Sequence, residues 1–287
     1  MTGILLAILV AIIWALGEIN YSKISKKYDN SNVYMYTYLL RAIIYISVVL
    51  LFKRSLIGTF HKNIFLASLP IILCDLSATL AINVAMTHGK VSIVSPIMAS
   101  YPVVDILLGA LLLKEKTSLL EMILVIIIST CIIVLANHNT KKEKNLHSNK
   151  GIVFAVIYML LAAFSIFFEK SIYIKDYSIY EFYYYKGSIY ILTSFFFIIN
   201  IIVTSKKIKK PNWSIIKGCG LIPIGNVLDS FALTIGNMML ITPISSLYAT
   251  ITHFISRFYL KESITVKEKI CVFFIILSTL LLIILKT

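Results

Sequence analysis

Residues 91–121, VSIVSPIMASYPVVDILLGALLLKEKTSLLE, return at residues 238–268 as MMLITPISSLYATITHFISRFYLKESITVKE. A single offset of 147 places Pro96 on Pro243, Tyr101 on Tyr248, Lys114-Glu115 on Lys261-Glu262 and Glu121 on Glu268. Coincidences held in one register mark an internal repeat, and a repeat decides the architecture before any single helix is drawn. A second offset, 145, places Tyr38, Arg41 and Tyr45 on Tyr183, Lys186 and Tyr190. The pattern Tyr-x-x-(Arg/Lys)-x-x-x-Tyr thus occurs once in each half, and the shift of two residues is a small gap between segments.

The repeated unit is apolar. Hydrophobic residues make up 59% of the 287, charged residues only 14%, and mean hydropathy is +0.90. A water-soluble domain carries roughly 25% charged residues, so lipid, not water, must cover much of this chain. A bilayer core of ~30 Å takes about 20 apolar residues per helix. That ruler predicts spans at 3–21, 34–52, 64–86, 91–113 and 118–136, then at 151–168, 181–204, 213–236, 239–257 and 270–285. Each run is continuous rather than alternating, and lipid offers the backbone no partners, so the spans are helices. The polar stretch 137–150, NHNTKKEKNLHSNK, separates a first five-helix repeat (1–136) from a second (151–287). Five crossings is an odd number, so the second half enters the membrane from the opposite side and the repeats are inverted. Inverted repeats are a recurring basis of alternating access. The expected fold class is therefore all-α integral membrane, ten transmembrane helices as two inverted five-helix repeats around a central cavity.

Several function classes fall away. Gly3 to Tyr21 has no preceding basic residue and no small-residue cleavage site, and reads as a retained first helix. Cys74, Cys131, Cys219 and Cys271 sit in apolar segments without CxxC spacing, which points to packed thiols and to no metal site. No HExxH, GxSxG or GxxxxGK[ST] is present, so the chain reads as a non-enzyme without cofactors, driven by something other than its own ATP hydrolysis. The net charge of +14 is spread over short loops, which suits anionic lipid rather than nucleic acid. His61, His88, His138, His147 and His253 fall near predicted ends or in loops, where solvated histidines are expected. The loops after odd-numbered spans carry 17 Lys/Arg against 8 for the even-numbered loops and the tail, which places the termini outside by the positive-inside rule.

An ionisable side chain deep in a membrane helix costs ~2.5–3.5 kcal/mol on insertion scales, so each one needs an account. Glu18, Arg41, Asp75, Asp105, Lys186 and Asp229 fall within predicted spans. Spacing by three or four puts Trp14 with Glu18 on one helix face, Tyr38, Arg41 and Tyr45 on another, and Tyr183, Lys186 and Tyr190 on a third. Rings one turn from a cation shield it from lipid while it faces a polar cavity. The bland alternative is internal pairing, Arg41 with Glu18 or Asp75 and Lys186 with Asp229, which staples helices together. Ser77, Ala81, Ala85 and Gly89 form a small-residue stripe for close helix packing, leaving Asp75 and Asn83 free to look toward a cavity. Pro223 and Gly225 allow a bend ahead of Asp229.

The paired halves, Tyr101-Pro102 running to Leu113-Lys114-Glu115, the echo at Leu260-Lys261-Glu262 and the Trp14-Ala15-Leu16-Gly17 opening resemble the EamA-type branch of the drug/metabolite transporter superfamily. Ala15 stands where glycine is usual, and Ala249 stands opposite Pro102. The resemblance covers nearly the whole chain. It implies a ten-helix bundle with a central cavity, proton- or gradient-driven movement of small solutes, and both termini in the cytoplasm. The expected activity is secondary transport of a small cationic or zwitterionic metabolite, such as an amino acid or amine, across the plasma (inner) membrane. The substrate and transport residues would be Trp14, Glu18, Arg41, Tyr45, Asp75, Tyr101, Asp105, Lys186, Tyr190, Asp229 and Tyr248, with protons and lipid as further partners and a monomer or homodimer as the assembly. Rival expectations are a nucleotide-sugar or organophosphate exchanger, with Arg41 and Lys186 on phosphate, and a non-transporting membrane scaffold.

Overall fold

In the computed structural model the described residues are 2–112, 118–134 except 121, 125, 129, 132 and 133, then 146–174, 178–235, 241, 244–259 and 265–286. Their regular structure is helical, and no strand occurs among them. The first helices are α1 (Thr2–Lys27), α2 (Asn30–Phe52), α3 (Lys62–His88), α4 (Val91–Met98) and α5 (Tyr101–Leu112). After short helical stretches within 119–134 come α6 (Leu146–Ile174), α7 (Ile179–Val203), α8 (Trp213–Ile235), α9 (Tyr248–Tyr259) and α10 (Val266–Lys286). Six of these (α1, α2, α3, α6, α7 and α8) contain a stretch long and apolar enough to cross a membrane.

Two boundaries differ from expectation for visible reasons. The predicted span 91–113 is two helices, α4 and α5, with a turn at Ala99-Ser100. Pro102 has no amide hydrogen to continue the ladder and its ring crowds the preceding turn, so the helix restarts at Tyr101 with proline in its first turn. The Ser100 hydroxyl donates to the Pro96 carbonyl at 2.7 Å, filling part of the gap. Of the predicted 137–150 linker, 137–145 lie outside the described residues, and α6 already begins at Leu146. Pro70 and Pro223, by contrast, sit inside α3 and α8 without ending them.

Packing runs chiefly between helices from different halves of the chain: α1 along α8, α2 along α7, α3 along α6 and α4 against α9. Small residues bring these backbones together, the way helices associate where lipid removes any hydrophobic advantage. A Cβ on Gly17 would stand 2.9 Å from Ile222 Cγ1, one on Gly218 2.8 Å from Ile24 Cδ1, and one on Gly225 2.4 Å from the Trp14 ring. The predicted stripe on α3 ends in the same manner, with Gly89 pressed on Gly151 so that a Cβ there would meet backbone at 2.7 Å. Large apolar side chains cover the outside, among them Leu5, Ile8, Leu9 and Ile12 on α1 and Leu192, Phe195, Phe196 and Ile199 on α7. A continuous apolar exterior of this extent is a lipid-facing one.

The seam between α2 and α7 is antiparallel. Phe52 stacks near Tyr180, Tyr45 near Tyr183, Tyr38 near Tyr190 and Tyr34 near Phe197, so one chain number rises as the other falls. Polar clasps close both ends. At one, Asp29 caps α2 by accepting from Ser31 N (3.0 Å) and pairs with Lys206 at 2.7 Å. Beside it Asn32 accepts from Lys209 N at 2.9 Å and Tyr36 donates to the Lys209 carbonyl at 2.5 Å. At the other end His61 Nδ1 lies 2.8 Å from Glu181, and Gly58 N donates to the Tyr184 hydroxyl at 3.1 Å.

Candidate functional site

Asp75 stands at the middle of α3 and gathers charge from two other helices. Its Oδ1 accepts from Arg41 Nη1 of α2 at 3.0 Å, and its Oδ2 pairs with Lys186 Nζ of α7 at 2.9 Å. The Tyr190 hydroxyl donates to the same Oδ2. Arg41 and Lys186 are 4% and 5% exposed, so both predicted cations point into the protein and neither faces acyl chains. The expectation that Lys186 pairs with Asp229 is corrected. The α2–α7 seam brings Lys186 to the same carboxylate as Arg41, while Asp229 turns away to a serine on another segment.

Rings pack about this ionic centre. Arg41 lies 5.8 Å from the Tyr190 ring centre, and Lys186 lies 5.2 Å from Tyr45 and 5.1 Å from Phe182. Tyr45 and Tyr190 are themselves 5.8 Å apart, centre to centre. Cations held over aromatic faces in a dry setting gain more than they would at a surface. Among the described residues Nε of Arg41 is buried without a hydrogen-bond partner.

Next to the ionic centre is a partly enclosed cavity of about 90 Å³. Its wall includes Trp14, Glu18, Asp75, Tyr101, Lys186, Asp229 and Tyr248 from the predicted set. Arg41, Tyr45 and Tyr190 lie behind that wall, within the α2–α7 seam. Asp105 falls in α5, but its side chain lies outside the described residues. The cavity follows the C-terminal halves of α6 and α8, from Tyr158 to Glu169 and from Ile222 to Leu233. Toward the opposite end, the Gly89–Gly151 contact and the 204–212 loop lying over the α1–α2 turn close the bundle.

The three other carboxylates in the wall are each held by a serine. Glu18 accepts from Ser95 at the centre of α4, Asp229 accepts from Ser245 at 2.5 Å, and Glu169 accepts from Ser230 at 2.7 Å. Among the described residues neither Glu18 nor Asp229 meets a lysine or arginine. A hydroxyl donor offsets only part of the cost of a buried carboxylate, so these positions favour a proton or a cationic group from the cavity. Trp14 is fixed by hydrogen bonds from Nε1 to Asn226 Oδ1 (2.9 Å) and the Ile222 carbonyl (3.3 Å), and it meets Tyr248 edge-on at 5.6 Å. Gly225 leaves the space its indole occupies.

Glu169, Asn226, Ser95, Ser230 and Tyr158 escape the sequence reading. Glu169 lies one residue past the predicted end of its span, and α6 runs five residues beyond it. Asn226 and the serines are short polar groups with no charge to flag them. Asn83 was expected to be free for the cavity but donates to Asn30 at 3.1 Å in the α1–α2 turn region. His253 was expected to be solvated. It is buried, with Nδ1 3.0 Å from the Ser92 carbonyl, because α9 packs on α4 there.

An all-helical bundle with an apolar exterior and a small, ring-lined, carboxylate-bearing cavity belongs to the class of polytopic membrane proteins that handle small molecules. Residues 1–137 and 149–284 each match the EamA-like transporter family, so the chain belongs to that family, whose members are transporters, and is an integral, multi-pass membrane protein. A solved structure titled only "Crystal structure of protein" shares the fold, with a TM-score of 0.67, 10% sequence identity and coverage of 99% of this chain and 97% of that one. No curated protein matches the sequence.

Proposed function

We propose that the protein is a secondary transporter that moves a small amine or zwitterion, such as an amino acid, across the plasma membrane by alternating access, driven by protons or by another solute gradient. The observation that carries this reading is the cavity itself. It lies between helices of both halves and presents Glu18, Asp229 and Glu169 on serine hydroxyls, Asp75 and Lys186 as an ion pair, and Trp14, Tyr101, Tyr158 and Tyr248 as stacking faces. Four acids against one lysine in the wall favour a solute with a positive charge. A carboxylate that exchanges a proton for such a group supplies the coupling.

The movement follows from two inverted five-helix repeats, residues 1–136 and 151–287. Two features support this arrangement. The three dominant helix pairings (α1 with α8, α3 with α6, α2 with α7) map onto one another when the halves are exchanged. The antiparallel α2 and α7 carry the same Tyr-x-x-(Arg/Lys)-x-x-x-Tyr pattern in opposite directions across the membrane. Halves related in this way can trade conformations and so expose the cavity to either side. Arg41 and Lys186 already share Asp75, and Arg41 is absent from the wall, which disfavours a phosphate clamp of the kind an organophosphate exchanger needs.

The test is uptake into proteoliposomes of amines and amino acids under an imposed proton gradient, with Glu18→Gln and Asp229→Asn. Loss of gradient-driven uptake, or loss of its pH dependence, in at least one variant is the expected result. Unchanged transport and unchanged pH dependence in both remove these carboxylates from the mechanism.

A further inference from the structure

The tyrosines and cations of the ionic centre repeat across the two halves, but its carboxylate does not. In the 145 register Tyr38, Arg41 and Tyr45 correspond to Tyr183, Lys186 and Tyr190. The contacts obey this exchange. Tyr38 with Tyr190 at 5.8 Å has its image in Tyr183 with Tyr45 at 5.1 Å, and Arg41 over Tyr190 at 5.8 Å has its image in Lys186 over Tyr45 at 5.2 Å. Tyr190 donates to Asp75 on α3, so Tyr45 ought to meet an acid on α8, the helix equivalent to α3. The residue beside Tyr45 there is Asn226. An offset of 151 carries Asp75 onto Asn226, and the same offset carries Glu18 onto Glu169. One half supplies a carboxylate where the other supplies a neutral amide.

The consequence is a deficit of acceptors. Two buried cations form their ion pairs with the same carboxylate, Asp75, so the ion-paired group taken by itself carries one positive charge over. Arg41 Nε, a buried donor without a partner among the described residues, lies on this same centre. A buried surplus charge is costly, and an anionic group arriving from the cavity beside Lys186 offsets it. Lys186 and Asn226 are the two members of the centre's second half that line the cavity, so the group would enter between them.

We propose that the transported solute carries a singly charged anionic group, a carboxylate, which docks on Lys186 beside Asn226 and takes the place of the acid missing from the second half. This rests on the transporter reading above and sharpens it, since it requires a zwitterion and excludes a simple amine. The ammonium of such a solute lies toward Glu18, Glu169 and Asp229, and its carboxylate lies toward Lys186. Asn226 sets the specificity by staying neutral. A doubly charged phosphate overfills a surplus of one.

The experiment uses the purified full-length protein and matched triplets: leucine with isopentylamine and 4-methylpentanoate, and phenylalanine with phenethylamine and 3-phenylpropanoate. Binding is read by titration and by thermal stabilisation, which rises with ligand by mass action. The expected result is that at least one amino acid binds about 10-fold or more tighter than its amine and its acid, the worth of one charge-assisted hydrogen bond. Asn226→Asp, which keeps the Oδ1 acceptor for Trp14, should abolish the advantage of the amino acid over the amine and leave amine binding equal or tighter. Amine binding as tight as amino-acid binding in the unaltered protein overturns the inference and leaves the transporter reading standing. Absence of binding by all six compounds overturns both. An advantage undiminished in a folded Asn226→Asp protein overturns the role of Asn226, and the triplet comparison in the unaltered protein decides the remainder without any variant.

Discussion

Replacing Asp75 by asparagine keeps the shape of the side chain and removes the carboxylate that pairs with both Arg41 and Lys186. Both cations lose their ion pair at once, the pairs at 3.0 and 2.9 Å, and the Tyr190 hydroxyl loses a charged acceptor. Breaking a buried pair by removing one partner costs about 3–5 kcal/mol, because a charge is left without compensation. Here two cations lean on one acid, so the upper part of that range applies. At roughly 2 °C per kcal/mol for a chain of this size, melting should fall by about 8–10 °C. The assay is thermal unfolding in a fixed detergent, run on Asp75→Asn, on Lys186→Met and on the double variant. Lys186→Met leaves Arg41 paired with Asp75 and should cost less than Asp75→Asn, while adding it to Asp75→Asn should restore part of the loss by removing one orphaned cation. The resulting coupling should be about 1–3 kcal/mol. An Asp75→Asn protein that melts within about 2 °C of the parent, or a double variant that is merely additive, refutes the shared-carboxylate account.

Other outcomes follow from the same geometry. Gly225→Val places atoms where the Trp14 ring now lies, 2.4 Å from the Cβ position, so it should cost about 1–3 kcal/mol, shift tryptophan emission and weaken solute binding together. Asp29 sits outside the membrane spans. Partial burial raises its pKa, but hydrogen bonds from Lys206 and Ser31 and the Lys206 charge outweigh this and hold the carboxyl below its ordinary 3.8. A depressed carboxyl stabilises the fold above its unfolded value and loses that contribution as pH falls through its folded value. Asp29→Asn should therefore flatten the acid limb of a melting-temperature profile below about pH 4. The effect is a few tenths of a kcal/mol, because the pair is largely exposed.

Much of the helical layout is legible in the sequence because lipid imposes a length and forbids alternatives, so continuous apolar runs such as 34–52 and 181–204 could only be helices. What blurred was the ends. The run 151–168 stops where hydropathy drops at Glu169-Lys170, yet α6 continues to Ile174 because a helix needs only backbone geometry to persist past its apolar stretch. That error hid Glu169 from view. Proline proved ambiguous for a physical reason: Pro102 ends a helix where Ser100 and the turn can absorb the missing hydrogen bond, whereas Pro70 and Pro223 are carried inside long helices held by neighbours. Arg41 and Lys186 stood out through charge alone, but their common partner did not. Which carboxylate they reach depends on how α2 and α7 cross α3, and no periodicity encodes that crossing. Asn226 carried no signal at all until its counterpart on the other half was known.

The touching backbones at Gly89 and Gly151 limit how the bundle can deform. With no side-chain layer between them, α3 and α6 have nothing compressible to slide upon at that end, and translation along each other would drive peptide groups together. Rotation about the contact disturbs only the two hydrogen-sized gaps. The pair is thus built to pivot there like scissor blades, with the widest excursion at the far end, where Glu169 and Lys62 sit.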